Sequence, residues 1–134
     1  MTDFSAHATL EKHGLRATRP RLSVTRVLFG DGENRHVTAE WVAERLQHSG
    51  EGVALATVYN TLHNFSDAGL LREVHGAERG AIIFDTNTSP HHHYYNETTK
   101  KLTDIPSQEI QVLGLPEPPD GAVVVGWDVV VRLR

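Results

Sequence analysis

The sequence contains no cysteine among its 134 residues. This absence excludes disulfides, thiol nucleophiles, zinc sites with thiolate ligands and iron–sulfur clusters. The sequence also lacks an apolar run long enough to cross a bilayer, because its longest apolar stretch, residues 122–131, is interrupted by Gly126 and Asp128. The first 30 residues have no apolar core typical of a signal peptide. We therefore expect a cytoplasmic protein with no membrane partner.

Positive charge is scarce overall and concentrated in one region. The net charge of -4 excludes a globally basic nucleic-acid-binding protein. Residues 12–30, however, carry five cations and no acid: Lys12, Arg16, Arg19, Arg21 and Arg26. A local patch is sufficient for phosphate contacts, because salt screens exposed charges beyond about 8 Å. The region is consistent with DNA binding, although a solvated helix surface is the more usual explanation of such a run.

Apolar periodicity predicts four helices and a hairpin in the first 85 residues. The helices are predicted over residues 5–13 with Ser5 as the cap, from about Arg19, after a Thr38 cap, and over residues 55–68. The segments 70–74 and 81–85 read as a β-hairpin. The predicted apolar faces are Val24, Val27 and Leu28 in the second helix, Trp41, Val42 and Leu46 in the third, and Leu55, Val58, Leu62 and Phe65 in the fourth.

The remaining residues predict a second, smaller domain, with a boundary near Ser89 and Pro90. Short strands are expected over residues 91–97 and 101–105, residues 107–113 fit either a helix or a strand, and a final strand is expected over residues 123–133. A tail of about 45 residues can hardly bury so much apolar surface alone, so we expect it to pack against a second copy. The prediction is an α+β protein with domains at residues 1–86 and 87–134.

Helices followed by a hairpin describe a winged helix-turn-helix, in which the last helix enters the major groove of DNA. Its first turns would present Ala56, Thr57, Tyr59 and Asn60, opposite the apolar face. An asparagine can pair bidentately with adenine, and a threonine methyl can pack on a thymine methyl. The alternative is an ordinary solvated helix face.

Nine histidines are present, and three of them are consecutive: His91, His92 and His93. On an extended strand the first and third point to the same side, and the second points to the other. Two imidazoles placed in this way can share a metal ion, and three further side chains could join them: His36, Asp85 and Asp104. Such a nitrogen and oxygen set suits Fe(II), Mn(II), Zn(II) or Co(II). Haem iron could also take an imidazole from this run. The alternative is a solvated histidine-rich loop.

Four stretches of the chain resemble the ferric uptake regulator (Fur) family. They are GLRATRPRLSVTRVL from Gly14, HVTAEWVAERL from His36, LATVYNTLHNFSDAGLL from Leu55 and FDTNTSPHHH from Phe84. The variant ATVYN, the run HHHYY, the missing cysteines and the shortened tail ending in DVVVRLR are most similar to the Irr (iron response regulator) branch.

The resemblance implies a homodimeric, metal-responsive transcriptional regulator of iron homeostasis, acting as a repressor on a palindromic double-stranded DNA operator. Its architecture would be an N-terminal winged helix followed by a small α/β dimerisation domain. Tyr59 and Asn60 would lie on the recognition helix, Arg16 would reach the minor groove, and Arg21 belongs to the matching Pro-Arg pair. The expected DNA-contacting set is Arg16, Arg19, Arg21, Thr57, Tyr59 and Asn60.

The family's interdomain regulatory site, carried over with one alignment gap, falls on the residues His36, Asp85, His91, His93 and Asp104. Both family glutamates become aspartates. One divalent ion per subunit is implied, Fe(II) or Mn(II), with Zn(II) as the alternative. The Irr branch further implies haem binding by His91, His92 and His93. The family's four-cysteine zinc site is absent, and Asn96 and Thr99 stand at its first pair; Gln111 and Trp127 replace ligands of the second dimerisation-domain site.

An enzyme is not expected. Two alternatives to a regulator stay open: a metal- or haem-binding protein without DNA activity, and a small metalloenzyme that uses the histidine cluster. An enzyme would need an open coordination position and a positioned acid or base, and no such constellation is visible in the sequence.

Overall fold

The computed structural model describes residues 4–134. The helices are α1 (Ala6–Lys12), α2 (Arg19–Phe29), α3 (Ala39–His48) and α4 (Leu55–Asp67). The strands are β1 (His36–Val37), β2 (Arg72–Val74), β3 (Ile83–Asp85), β4 (His91–Asn96), β5 (Leu102–Pro106) and β6 (Val130–Leu133), and a 3₁₀ turn spans Ser107–Glu109. Among the described helices, none is both long and apolar enough to span a bilayer.

Local capping chemistry sets the starts of the first three helices. The Ser5 hydroxyl accepts a hydrogen bond from the Ala8 N–H at 3.1 Å, and the Thr38 hydroxyl accepts one from the Trp41 N–H at 3.2 Å. Pro20 lies in the first turn of α2, where its missing N–H leaves no helical hydrogen bond unmade. The predicted starts of α1, α2 and α3 are therefore confirmed.

The core of the helical part is built from the predicted apolar faces. Its fully buried members are Leu10, Val24, Leu28, Val42, Leu46, Val58, Leu62, Phe65 and Phe84. Two predicted members are wrong: Trp41 is 37% exposed and Leu55 is 47% exposed. Trp41 instead lies against the guanidinium of Arg45, 5.3 Å from the ring centroid. Leu55 is the first residue of α4, where the helix has not yet entered the core.

Two three-stranded sheets follow from the strand pairing. The first has the order β1-β3-β2 and is antiparallel, with His36 and Arg72 both opposite Asp85. The second has the order β5-β4-β6, in which β5 is antiparallel and β6 parallel to β4. A second apolar cluster joins the two sheets, formed by Val74, Ala77 and Ile83 from the hairpin and Tyr95, Leu102 and Val130 from the second sheet. The α+β class with its small β-hairpin wing is confirmed.

The C-terminal tail departs from prediction. The expected strand over residues 123–133 is wrong for most of its length, because only Val130–Leu133 is strand and residues 111–129 are irregular. The large apolar side chains before β6 are exposed, and Val125 is 99% exposed. Alternating apolar residues form a strand when a second layer covers one face, and a single chain offers no such layer here.

The turn between β4 and β5 is closed by an asparagine. The Asn96 side-chain oxygen accepts hydrogen bonds from the N–H groups of Thr98 and Thr99, both at 2.9 Å. Backbone hydrogen bonds between Asn96 and residues 100 and 101 complete the turn, and Lys100 adopts the left-handed φ of 62°. An amide side chain thus closes the turn.

We expect Asn96→Ala to lower the free energy of unfolding by about 1–2 kcal/mol, because two backbone donors lose their acceptor. Urea denaturation followed by circular dichroism measures the change. Thr98→Ala is the matched control, since it removes an exposed neighbouring side chain and keeps the N–H that Asn96 binds. Equal stability of the two variants would contradict the role given to the asparagine.

Candidate metal centre

Five strand and strand-end residues meet where the two sheets come together. His36 comes from β1, Asp85 from β3, His91 and His93 from β4, and Asp104 from β5. The registers bring them together, because His36 pairs with Asp85 and His93 pairs with Asp104. One ligand atom from each of the five lies within 4.8 Å of all the others. These are the five residues proposed as ligands from the sequence.

Both carboxylates face the three imidazoles at short range. Asp85 Oδ2 lies 3.1 Å from His36 Nε2, 2.7 Å from His91 Nε2 and 3.0 Å from His93 Nε2. Asp104 Oδ1 lies 2.9, 3.6 and 3.4 Å from the same three nitrogens. Two ligands bonded ~2.1 Å from one ion and about 90–110° apart are separated by about 3.0–3.4 Å. The observed separations, from 2.7 to 3.6 Å, lie around this range.

The hydrogen bonding of His91 prepares it to be a ligand. Its Nδ1–H donates to the Ser89 carbonyl at 2.6 Å, so the neutral ring carries its lone pair on Nε2. That lone pair faces Asp85 Oδ2, and a carboxylate oxygen also has only lone pairs to offer. A divalent cation held between them would be coordinated by both lone pairs. The donor set of three nitrogens and two oxygens fits Fe(II), Mn(II), Zn(II) or Co(II).

The pKa values of His36 and Asp85 are shifted because acids and imidazoles lie close together in this cluster. Burial disfavours the charged form of His36, but hydrogen bonds and charge from Asp85 and Asp104 outweigh it and raise the pKa of His36. Burial also acts to raise the pKa of Asp85, yet hydrogen bonds from His36, His93 and the Asn87 N–H lower it well below its usual range. Without metal, the ionised Asp85 carboxylate thus stabilises the protonated form of His36. The same negative charge favours the binding of a metal ion.

The middle histidine of the triplet points the other way. His92 is buried, with 4% of its surface exposed, and its Nδ1 accepts a hydrogen bond from the Val129 N–H at 3.1 Å. The alternation expected for an extended strand is therefore present. Because His91 and His93 face the carboxylates and His92 faces the tail, the three residues expected to bind haem do not share one face.

The residues expected to contact DNA lie on two parts of the helical domain. Thr57, Tyr59 and Asn60 are exposed in the first turns of α4, on the side opposite Val58 and Leu62. The three predicted arginines lie in the connection before α2 and in its first turn: Arg16, Arg19 and Arg21. The first two are exposed, whereas Arg21 is half-buried and donates a hydrogen bond to the Arg16 carbonyl at 3.1 Å.

His63 makes contacts that were not predicted from the sequence. Its ring lies edge-on to Tyr59, with centroids 4.5 Å apart, and 5.5 Å from Phe84, the residue before Asp85. His63 Nδ1 also lies 3.2 Å from the Glu73 carboxylate, which reaches His75 with its other oxygen. The signal available in the sequence was the i, i+4 spacing of Tyr59 and His63 on one helix face.

The fold and this cluster define a winged-helix protein with a histidine–aspartate centre between its two sheets. The family model that matches residues 12–115 is that of the ferric uptake regulator family. The chain belongs to this family. The resemblance inferred from the sequence is confirmed at the level of the family.

Three relatives show the extent of the similarity. The ferric uptake regulation protein of Shigella flexneri is 44% identical over 93 residues, which cover 69% of this chain and 60% of that protein. The chain thus spans about three fifths of the length of such relatives. The Pseudomonas fluorescens protein is 36% identical over 108 residues, covering 80% of this chain and 86% of the relative. The ferric uptake regulator of Pseudomonas aeruginosa, solved with manganese, superimposes with a TM-score of 0.73 at 30% identity over 98% of both chains.

Proposed function

We propose that this protein is a homodimeric, metal-responsive DNA-binding transcriptional regulator of iron homeostasis. The observation that carries the proposal is the five-residue cluster built from both parts of the chain. His36 and Asp85 belong to the proposed DNA-binding domain, residues 1–86, whereas His91, His93 and Asp104 belong to the proposed dimerisation domain, residues 87–134. A divalent ion held by all five has ligands on both sides of the boundary.

This placement gives the ion its regulatory effect. An ion that needs ligands from both domains binds more tightly to the arrangement in which they meet than to one in which they are apart. It therefore shifts the population toward the first arrangement. The orientation of α4 relative to the rest of the protein then depends on metal, and so does the affinity for DNA. We propose Fe(II) or Mn(II) as the ion, with one site per subunit; the Pseudomonas aeruginosa relative was solved with manganese.

The exposed apolar tail supports a homodimer. Large apolar side chains that single chains rarely expose together lie between the 3₁₀ turn and the C-terminus: Leu113, Leu115, Val123, Val124, Val125, Trp127, Val131 and Leu133. A second copy of the same surface would cover them across a two-fold axis. Two α4 helices related by that axis match a palindromic double-stranded operator, at which a repressor would act.

The resemblance to the Irr branch also implies that the histidine triplet binds haem, and haem would need access to these side chains. Each residue of the triplet is at most 4% exposed, and His91 and His93 face Asp85. Haem ligation would require the second sheet to open. We therefore propose the divalent ion as the ligand of the folded chain and treat haem as a competing outcome of the titrations.

The proposal is tested by selecting binders from a randomised double-stranded DNA library, with and without Mn(II). We expect enrichment of a palindromic sequence whose affinity changes at least fivefold when Mn(II) is added, within the usual range of coupling between two sites. Enrichment without any response to Mn(II), Fe(II) or Zn(II) contradicts metal regulation. Metal binding without an enriched sequence supports a metal-binding protein that lacks DNA activity, and a response only to haem supports the Irr expectation.

Two substitutions distinguish a residue that reads bases from a residue that contacts phosphates. We expect Asn60→Ala to cost about 1–3 kcal/mol and to relax specificity at one base pair of the selected site. Arg16→Ala should weaken binding evenly across sequences and reduce the salt slope by about one. Both are measured by fluorescence anisotropy at several salt concentrations. Asn64→Ala is the control, since Asn64 is exposed one turn beyond Asn60 on the same helix. Binding like that of the native protein in both test variants would remove these residues from the DNA interface.

A further inference from the structure

The C-terminal segment, defined here as residues 128–132, lies across the wing hairpin. The Arg132 Nη1 donates to the Ala77 carbonyl at 3.0 Å, and its Nη2 donates to the Gly76 carbonyl. Both carbonyls lie in the turn between β2 and β3. A planar guanidinium can bridge two successive carbonyl oxygens in a fixed geometry, which a lysine cannot reproduce. Arg132 therefore fixes the wing turn to the tail.

A second arginine makes the reciprocal connection. Arg72, on strand β2 of the wing, forms an ion pair with Asp128 of the C-terminal segment. Its other terminal nitrogen donates to the carbonyls of His91 at 3.0 Å and Ser89 at 3.4 Å. Arg72 also stands opposite Asp85 in the strand register. It thus connects the wing to both the C-terminal segment and the strand that carries two of the proposed ligands.

The C-terminal segment is attached to that same strand through Val129. The Val129 N–H donates to His92 Nδ1 at 3.1 Å, and the Val129 carbonyl accepts from the His93 N–H at 3.1 Å. Val130, the next residue, packs against the apolar cluster that contains Val74, Ala77 and Ile83 of the hairpin. A continuous set of contacts therefore runs from the proposed ligand strand through Val129 to the wing turn.

We propose that the C-terminal segment is a latch that transmits the state of the metal centre to the wing, and that His92 and Arg132 are its positioning residues. The inference rests on the proposed function, because the latch matters for regulation only if metal controls DNA binding. It gives the middle histidine of the triplet a task apart from metal ligation: an Nδ1 acceptor that holds the tail in place. A metal ion held by His91 and His93 would restrain β4, and the contacts of Val129 and Arg132 would pass this restraint to residues 128–132 and the wing.

The first test compares two neighbouring arginines. Arg132 and Arg134 both lie near the Glu97 carboxylate, at 3.6 and 3.4 Å, but Arg132 also binds the wing turn. Arg132→Gln and Arg134→Gln remove the same charge. Arg132→Lys keeps the charge but removes the planar guanidinium that donates to both carbonyls. We expect all three variants to bind one Mn(II) per subunit. In Arg132→Gln and Arg132→Lys the ratio of DNA affinities with and without Mn(II) should fall to within twofold of one, whereas Arg134→Gln should keep the native ratio.

The second test changes the middle histidine. His92→Asn retains a side-chain acceptor near the position of Nδ1, whereas His92→Leu removes it. We expect His92→Asn to retain most of the native ratio and His92→Leu to lose it, with one Mn(II) bound per subunit in both. If His92→Leu fails to fold, the pair Arg132→Lys and Arg134→Gln still decides the question. A native ratio in Arg132→Lys or in a folded His92→Leu overturns the latch.

Hydrogen exchange provides a readout that needs no DNA. In the native protein we expect one equivalent of Mn(II) to slow amide exchange in residues 75–82, and this slowing should be lost in Arg132→Gln and kept in Arg134→Gln. Equal behaviour of the two variants overturns the latch even if metal controls DNA binding. A different outcome contradicts the proposed function and leaves the latch in place. In that outcome Mn(II) slows exchange in the native protein, the slowing depends on Arg132, and Mn(II) has no effect on DNA affinity.

Discussion

Replacing His91 or His93 by alanine is expected to lower the affinity for Mn(II) by about a hundredfold or more. Each residue presents Nε2 to Asp85 from the inner side of the cluster, and alanine leaves that position of the coordination shell without a protein ligand. Loss of groups that merely orient metal ligands already costs about 10–100-fold in affinity. Isothermal titration calorimetry with Mn(II), supported by competition with a chelator of known affinity, measures the change.

His92→Ala is the control within the same triplet. Its side chain points to Val129, so we expect a change in Mn(II) affinity of less than about tenfold, within the range that coupling through the tail can produce. Equal losses in the three single variants would contradict the assignment of alternate histidines to opposite sides. Haem titrations of the same variants distinguish haem binding from Mn(II) binding. Haem bound through His92 would be lost in His92→Ala and retained in the His91 and His93 variants.

Introducing charge into the exposed apolar tail is expected to give monomers. Val123 and Val125 are 82% and 99% exposed, so aspartate at both positions is tolerated in the single chain. In the proposed dimer, four carboxylates would be buried against apolar partners, and each unpaired buried charge costs several kcal/mol. We expect the double variant to sediment as a monomer at micromolar concentration. Its affinity for the selected operator should fall by about 10²-fold or more, because two half-sites are no longer bound together.

Gln111→Glu serves as the matched control for that variant. Gln111 is exposed in the same irregular segment and is already polar, so an added charge there removes no apolar surface. The control should stay dimeric. A dimeric double variant, or a native protein that is monomeric at micromolar concentration, would contradict a dimer held through this surface.

Helix starts and the pairing of the wing strands could be predicted because their causes are local. Ser5 and Thr38 cap helices through groups three residues away, and a proline in the first turn needs no distant partner. The clustering of the five proposed ligands was also predictable, since a strand places alternate residues on one side. His36, Asp85 and Asp104 were proposed as partners from their residue types, and the family resemblance implied the same set. Burial of Trp41 and Leu55 was predicted wrongly because periodicity gives the direction of a face and not where the core ends.

The tail could not be predicted for a different reason. A period of two over residues 123–133 shows which side chains would share a face, but strand formation also needs a covering layer that one chain lacks. The contacts of Arg72 and Arg132 left no signal in the sequence, because their partners include backbone carbonyls, which every residue has. Side chains that recognise backbone atoms more than 15 residues away become visible only in three dimensions.

The uneven exposure of the cluster determines the side from which an ion would reach it. Asp85, His91 and His93 have almost no contact with solvent, whereas the Asp104 side chain is 41% exposed. An ion entering the proposed centre from solvent would meet the Asp104 carboxylate before the three buried ligands. Because this entrance lies at a side chain already open to solvent, an ion would reach the buried ligands without either sheet unfolding.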